Sequence, residues 1–302
     1  MVNKTIGNPL SWSAQRLAGI GHGIGTAADG IASHDMQRPR VRDIGIEDIR
    51  IALRKGADDF IALRSDVMLA VVLYPLIGLF LAAWVVSSGQ YHALFPLLAG
   101  FPLVGPVAAV GLYEMSRRRE RGEPANWAAI LDTLRGAVLG PVILMACLLG
   151  VVFFAWLYSA AVIWQATLGS QSYDSFTVLL SDVFNTAAGW RLLVIGTVAG
   201  FVFATLALCI SIVTFPMLLD RRVGVPVALA TSMEVVRRNP ATVALWGLIV
   251  ALTLAIGMIP LFVGLIIALP ILGHASWHLY RAAVAEPVPF YPSDADLGRG
   301  GL

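Results

Sequence analysis

His274 and His278 are the side chains whose types and spacing could most readily do chemistry. They stand four residues apart, so a helix puts both on one face. Two histidines at that spacing can hold a metal, as in HExxH sites. Here Ala275, Ser276 and Trp277 intervene, so the motif lacks a glutamate general base. Two neighbours on one helix also cannot take opposite faces of one haem. The other histidines are His22 and His34 near the N-terminus and His92 in a turn, which argues against multi-histidine haem–copper chemistry. Glu114, Asp220 or Glu234 could complete a carboxylate–histidine metal site, with Glu114 the first candidate beside His274 and His278. The plainer alternative is histidines hydrogen-bonded to neighbouring helices or lipid headgroups.

The elements that carry these residues are membrane helices. The chain has 302 residues, of which 58% are hydrophobic and 13% charged. A soluble domain has roughly 45–50% apolar and about 25% charged residues. A mean hydropathy of +0.77 fits a polytopic membrane protein and argues against a disordered chain, a nucleic-acid binder or an ordinary soluble enzyme. Cys147 and Cys209 both lie in apolar runs and read as small packing residues, not a disulfide framework. No signal peptide is legible in residues 1–40, so the first membrane helix is expected to direct insertion.

A crossing needs about 20 apolar residues. Six such spans are expected, at 67–87, 94–115, 137–168, 190–219, 241–259 and 261–281. The last two are joined by almost nothing around Ile259 and Pro260. Lys and Arg set the orientation. Nine precede the first span, Arg117, Arg118, Arg119, Arg121 and Arg135 follow the second, and Arg221, Arg222, Arg237 and Arg238 follow the fourth. Segments 88–93 and 169–189 have none, and Arg191 is the exception. The positive-inside rule then puts both termini and the two basic loops in the cytoplasm. Tyr91, Tyr113, Trp190, Trp277 and Tyr280 sit near the span borders, as an aromatic belt would.

Flexible tails are expected at 1–40 and 284–302. Within 41–65, Ile46, Ile49, Leu53, Phe60 and Leu63 recur at helical spacing, which predicts an amphipathic interfacial helix before the membrane domain of 66–283. Similar stripes at 124–135 and 226–238 start at Pro124 and Pro226. The fold class is thus all-α, a six-span transmembrane bundle with cytoplasmic interfacial helices. Spans two and six share a proline-glycine pattern, with Pro96 and Pro106 matching Pro260 and Pro270, and both reach Leu-Tyr near the end. An internal duplication would produce this pattern, as would coincidence in an apolar chain.

The stretch Phe95-Pro-Leu-Leu-Ala-Gly-Phe-Pro-Leu-Val-Gly-Pro106, with Gly111-Leu-Tyr-Glu-Met-Ser-Arg117 and Gly273-His-Ala-Ser-Trp-His-Leu-Tyr-Arg281, resembles a bacterial family of predicted integral membrane proteins, the domain of unknown function 2189. The resemblance spans roughly 44–283. It implies a membrane fold but no activity, so no catalytic residues are carried over.

At about 1.5 Å per residue, His274 lies about 20 Å from Leu261, within hydrocarbon depth, and His278 about 26 Å, close to the interface. A polar group at the first depth should face protein or water. No Asp, Glu, Lys or Arg lies near the middle of a span, which weakens an ion-coupled carrier. No P-loop is present. No cofactor is expected. The leading reading is a non-enzymatic scaffold or accessory subunit that binds lipid, anionic headgroups included, or another membrane protein, with a filled core. The alternative is a permease or lipid-handling protein, with a site between spans two and six formed by His274, Ser276, Pro96, Pro106 and Pro270. A metal or redox protein using the paired histidines is the third.

Overall fold

The computed structural model describes residues 39–126, 138–169, 171, 173–221 and 223–286. The expected amphipathic helix at 124–135 and nearly all of both expected tails lie outside the described residues. The described chain is helical throughout, with one isolated bridge, Val41 to Val284, and no strand.

The first helix, α1, runs Ile46–Ser87 without a break over 42 residues, or roughly 63 Å. The expectation was a separate interfacial helix ending at 65. Nothing between 57 and 74 is a glycine or proline, so no residue there stops the helix. Asp48 accepts the Gly45 amide at 2.7 Å and starts it. Next come α2 (Tyr91–Gly100), a 3-10 turn (Phe101–Val104), α3 (Gly105–Ala108) and α4 (Val110–Glu120). Pro102 and Pro106 explain the interruption, since each removes an amide from the helical ladder. The rest are α5 (Leu139–Thr167), α6 (Phe176–Asn185), α7 (Ala187–Ser211), α8 (Thr214–Asp220), α9 (Val225–Arg238), α10 (Pro240–Met258) and α11 (Leu265–Ala283). The short α6 was not legible as a helix. Ser175 caps it, and Thr186 caps α7 by accepting the Gly189 amide at 2.9 Å.

Four stretches are long and apolar enough to cross a membrane: Tyr91–Glu120, Leu139–Thr167, Ala187–Asp220 and Pro240–Met258. Val72–Ser87, in α1, is a shorter apolar helix. The expected sixth span, α11, carries His274, Ser276, His278 and Arg281 in its second half, which lowers its mean hydropathy. Large apolar side chains such as Phe80, Phe154 and Phe201 are about 70% exposed, as an outer surface facing acyl chains requires.

Polar and basic groups gather at one end of the bundle, the charged end. There Val41 and Val284 pair, and Arg42 donates its amide to the Ala283 carbonyl at 2.8 Å. The expected C-terminal tail therefore starts later than 284. Asn239 ties the same end by accepting the Ile44 amide at 2.8 Å and donating to the Arg42 carbonyl. From this clamp α1 and α11 run antiparallel in extensive contact. A Cβ on Gly56 would stand 2.6 Å from the Ala275 amide nitrogen, so the two backbones touch there. Such small-residue contacts are what hold helices together where lipid removes the hydrophobic driving force.

At the far end, Trp164, Leu168, Leu179 and Val183 form a separate apolar cluster, with His92 stacked on Trp164 at 4.8 Å.

Candidate functional site

Three helices meet at the charged end to build a buried polar knot. α11 brings His274 and His278, α4 brings Ser116 and Arg119, and α1 brings Asp59. His274 and Ser116 are essentially inaccessible, and Asp59 is 5% exposed. Asp59 Oδ2 accepts from Ser116 Oγ at 2.6 Å and lies 2.9 Å from His278 Nε2. Its Oδ1 accepts from Arg119. Ser116 Oγ also lies 2.8 Å from His274 Nδ1.

These distances assign protons. An ionised Asp59 only accepts, so the Ser116 hydroxyl gives it its one hydrogen. His274 Nδ1 must then donate to Ser116 Oγ. In the neutral ring Nε2 is left as an acceptor, and it is buried with no hydrogen-bond partner. The Leu112 backbone lies near the ring but closes no hydrogen bond to Nε2. Burial alone would raise the Asp59 pKa. The hydrogen bonds from His278 and Ser116, and the His278 charge, outweigh it and hold the carboxyl below its ordinary value.

Asp59 was missed in the sequence because its neighbours in the charged run read as a solvated face. The buried seam of α1 is Ile49, Ala52, Gly56, Asp59 and Leu63, at steps of three and four. A carboxylate at a seam position was the available signal. Of the expected stripe, Ile49 and Leu63 are buried, whereas Ile46 is 71% exposed.

Glu114 belongs to a different cluster. It is wholly buried and held by Arg117 Nε at 2.8 Å and Arg118 Nε at 2.7 Å, while Arg117 also reaches the Leu219 carbonyl. Its oxygens are committed to guanidinium groups and do not join the histidines. Among the described residues no group of three or more His, Cys, Asp or Glu side chains is placed to hold a metal ion.

The expected site between spans two and six assembles only in part. Leu112 packs against Gly273, where a Cβ would stand 2.4 Å from Leu112 Cδ1, so α4 and α11 are in contact. Ser276 Oγ donates to the Leu272 carbonyl at 2.7 Å, back along its own helix. The Pro96 carbonyl accepts from Trp156 Nε1 at 2.7 Å, which directs that part of span two toward α5 and away from His274. Pro106 opens the short α3, and Pro270 is buried inside α11.

Beside the knot, Asp220 accepts from Tyr280 at 2.8 Å and from Arg121 at 3.1 Å. Trp277 Nε1 donates to Glu120 at 2.9 Å. Glu120, Arg121, Asp220 and Trp277 line a cleft of about 520 Å³ with Arg221, Arg281 and Glu286. A second cleft of about 270 Å³, at the far end, is lined by Gln90, Tyr91, His92, Trp164, Gln165 and Tyr173 among others. Neither includes His274 or Ser276.

Residues 94–220 match the model of a family described as predicted integral membrane protein, DUF2189. That segment is shorter than the 44–283 over which the resemblance was read. No curated protein and no solved structure matches the chain. With its four long apolar helices, the chain is an integral membrane protein.

Proposed function

We propose that this protein is a non-enzymatic scaffold or accessory subunit of the bacterial inner membrane, one that binds lipid or another membrane protein. The carrying observation is how the polar side chains are spent. Asp59, Ser116, His274 and His278 bond to one another, and Glu114 is held by two arginines. Groups committed in this way stitch helices together, which is the ordinary use of polar residues in a membrane bundle. The two clefts described above lie at the two ends, and neither is lined by His274 or His278.

The charged end faces the cytoplasm in this reading, with both termini on that side. Arg119, Arg121, Arg237 and Arg238, the more exposed arginines there, would then meet anionic headgroups. The four long apolar stretches and the apolar part of α1 supply the membrane segments.

Native mass spectrometry in nanodiscs tests the function. The wild type and the double variant His274→Ala/His278→Ala should both release only exchangeable lipid or a shared protein partner. A stoichiometric metal or small molecule held by the wild type and lost from the variant would overturn the scaffold reading.

A permease remains the second reading because span two is broken at Phe101–Val104 and His274 Nε2 is buried without a partner. Interrupted helices mark substrate sites in transporters. A substrate whose transport in vesicles is abolished by His274→Ala would establish it.

A further inference from the structure

The turn between α10 and α11 is built for hydrocarbon. No side chain in 254–273 carries a nitrogen or an oxygen. At the tip, Ile256, Ile259, Leu261 and Val263 are between 61% and 79% exposed. A turn at a water-facing surface would be expected to carry polar turn residues.

Two neighbours measure how far this hairpin reaches. α4 and α11 run side by side in the same direction: Leu112 meets Gly273, Ser116 meets His274 and Glu120 meets Trp277. From Gly273 back to Gly264 is roughly 14 Å of helix, whereas span two continues from Leu112 back to Tyr91 in shorter pieces, broken at Phe101–Val104. On the other flank Leu208 of α7 packs on Gly247 of α10. From Gly247 to Met258 is roughly 16 Å, whereas from Leu208 back to Ala187 is roughly 31 Å. Measured against the unbroken α7, the tip stops roughly 15 Å short of the far end of the bundle.

Most of the backbone amides at the tip are satisfied within it, as lipid demands. The amides of Ile259, Leu261, Phe262, Val263 and Leu265 all donate within the turn, and Pro260 has no amide to satisfy. Leu261 and Phe262 adopt the left-handed conformation, at φ 50° and 66°, which side chains other than glycine rarely take. That reversal tucks Phe262 into the core. A Cβ on Gly264 would stand 2.7 Å from Gly257 Cα, so the two helices touch just below the tip.

We infer that α10 and α11 form a re-entrant hairpin, which enters the membrane from the charged end and turns back inside the hydrocarbon. Its tip is solvated by lipid acyl chains and never reaches the water beyond the far end. Both of its ends stay at the charged end, so the C-terminus lies on the same side as with two full crossings.

Single cysteines decide this in a Cys147→Ala/Cys209→Ala background. Ser88→Cys and Asp174→Cys report the far end, and Leu261→Cys and Ile259→Cys report the tip. A membrane-impermeant maleimide is applied to intact cells and to inverted vesicles. The far-end cysteines should label from one side, and the tip cysteines from neither, although all label after SDS. Tip labelling from the side that labels Ser88→Cys would mean a full crossing and would overturn the inference. Tip labelling from the opposite side would place the tip in water at the charged end and would overturn it equally. If neither tip variant accumulates, spin-labelled Val263→Cys reads the same point. Oxygen should relax it more than a water-soluble nickel chelate does, and the reverse would refute the hairpin. The far-end cysteines fix the sides, so the outcome is independent of the proposed function and orientation.

Discussion

Asp59 gathers Ser116, Arg119 and His278 onto one carboxylate. Replacing it by Ala leaves the buried Ser116 hydroxyl and the His278 ring without their acceptor. Destabilisation of about 2 kcal/mol is expected, carried by those two buried bonds and little by the partly exposed Arg119. A thermal-shift assay in detergent reads it, and an unchanged midpoint would show that the knot holds nothing. The sign with pH follows from the depressed pKa of Asp59, whose hydrogen bonds outweigh the opposing effect of burial. Its stabilisation is fully present above the unfolded value of about 3.9 and is lost as pH falls through the folded value. Between pH 7 and pH 3 the wild type should therefore lose more thermal stability than Asp59→Asn, and equal losses would remove Asp59 from the account. The histidine pair was visible in the sequence because spacing alone puts both on one face. Their partner was overlooked among the charges around it, although Asp59 falls on the three- and four-residue steps of the buried seam and the solvated Asp58 beside it does not.

Helices are the scale at which the sequence was most legible. The expected spans at 137–168, 190–219 and 241–259 fall within a few residues of α5, the α7–α8 stretch and α10, because long apolar runs admit few other readings. The continuity of α1 was less legible, since its composition changes from charged to apolar while its backbone does not change at all. α6 was hidden because its ten residues are too few for a span, and only the Ser175 cap and the two buried positions Leu179 and Val183 mark it as a helix. The contact of α1 with α11 depends on Gly56, whose neighbours at 2.6 and 2.7 Å are backbone atoms of Ala275 and Ile271 and cannot swing aside. Gly56→Leu should cost about 1–3 kcal/mol by forcing the helices apart. Limited proteolysis near 40–45 checks it: the variant should be cut faster there, and an unchanged rate would mean that the helices do not pack as described.

For the whole molecule, orientation and interior are the two claims. A fluorescent protein fused after Leu302 should fold and fluoresce, and alkaline phosphatase fused after Ser88 should be active, as cytoplasmic termini require. The reverse pattern would invert the bundle. The interior claim is that polar groups fill the charged end as a structural knot, with no water path to His274. Substituted-cysteine accessibility of His274→Cys tests it most directly, in nanodiscs and without the native cysteines. The account predicts that a small water-soluble thiosulfonate leaves this cysteine unmodified while it modifies Asp174→Cys within minutes. Modification of both at similar rates would reveal a water-filled path to the histidine, contradict the filled core and favour the permease.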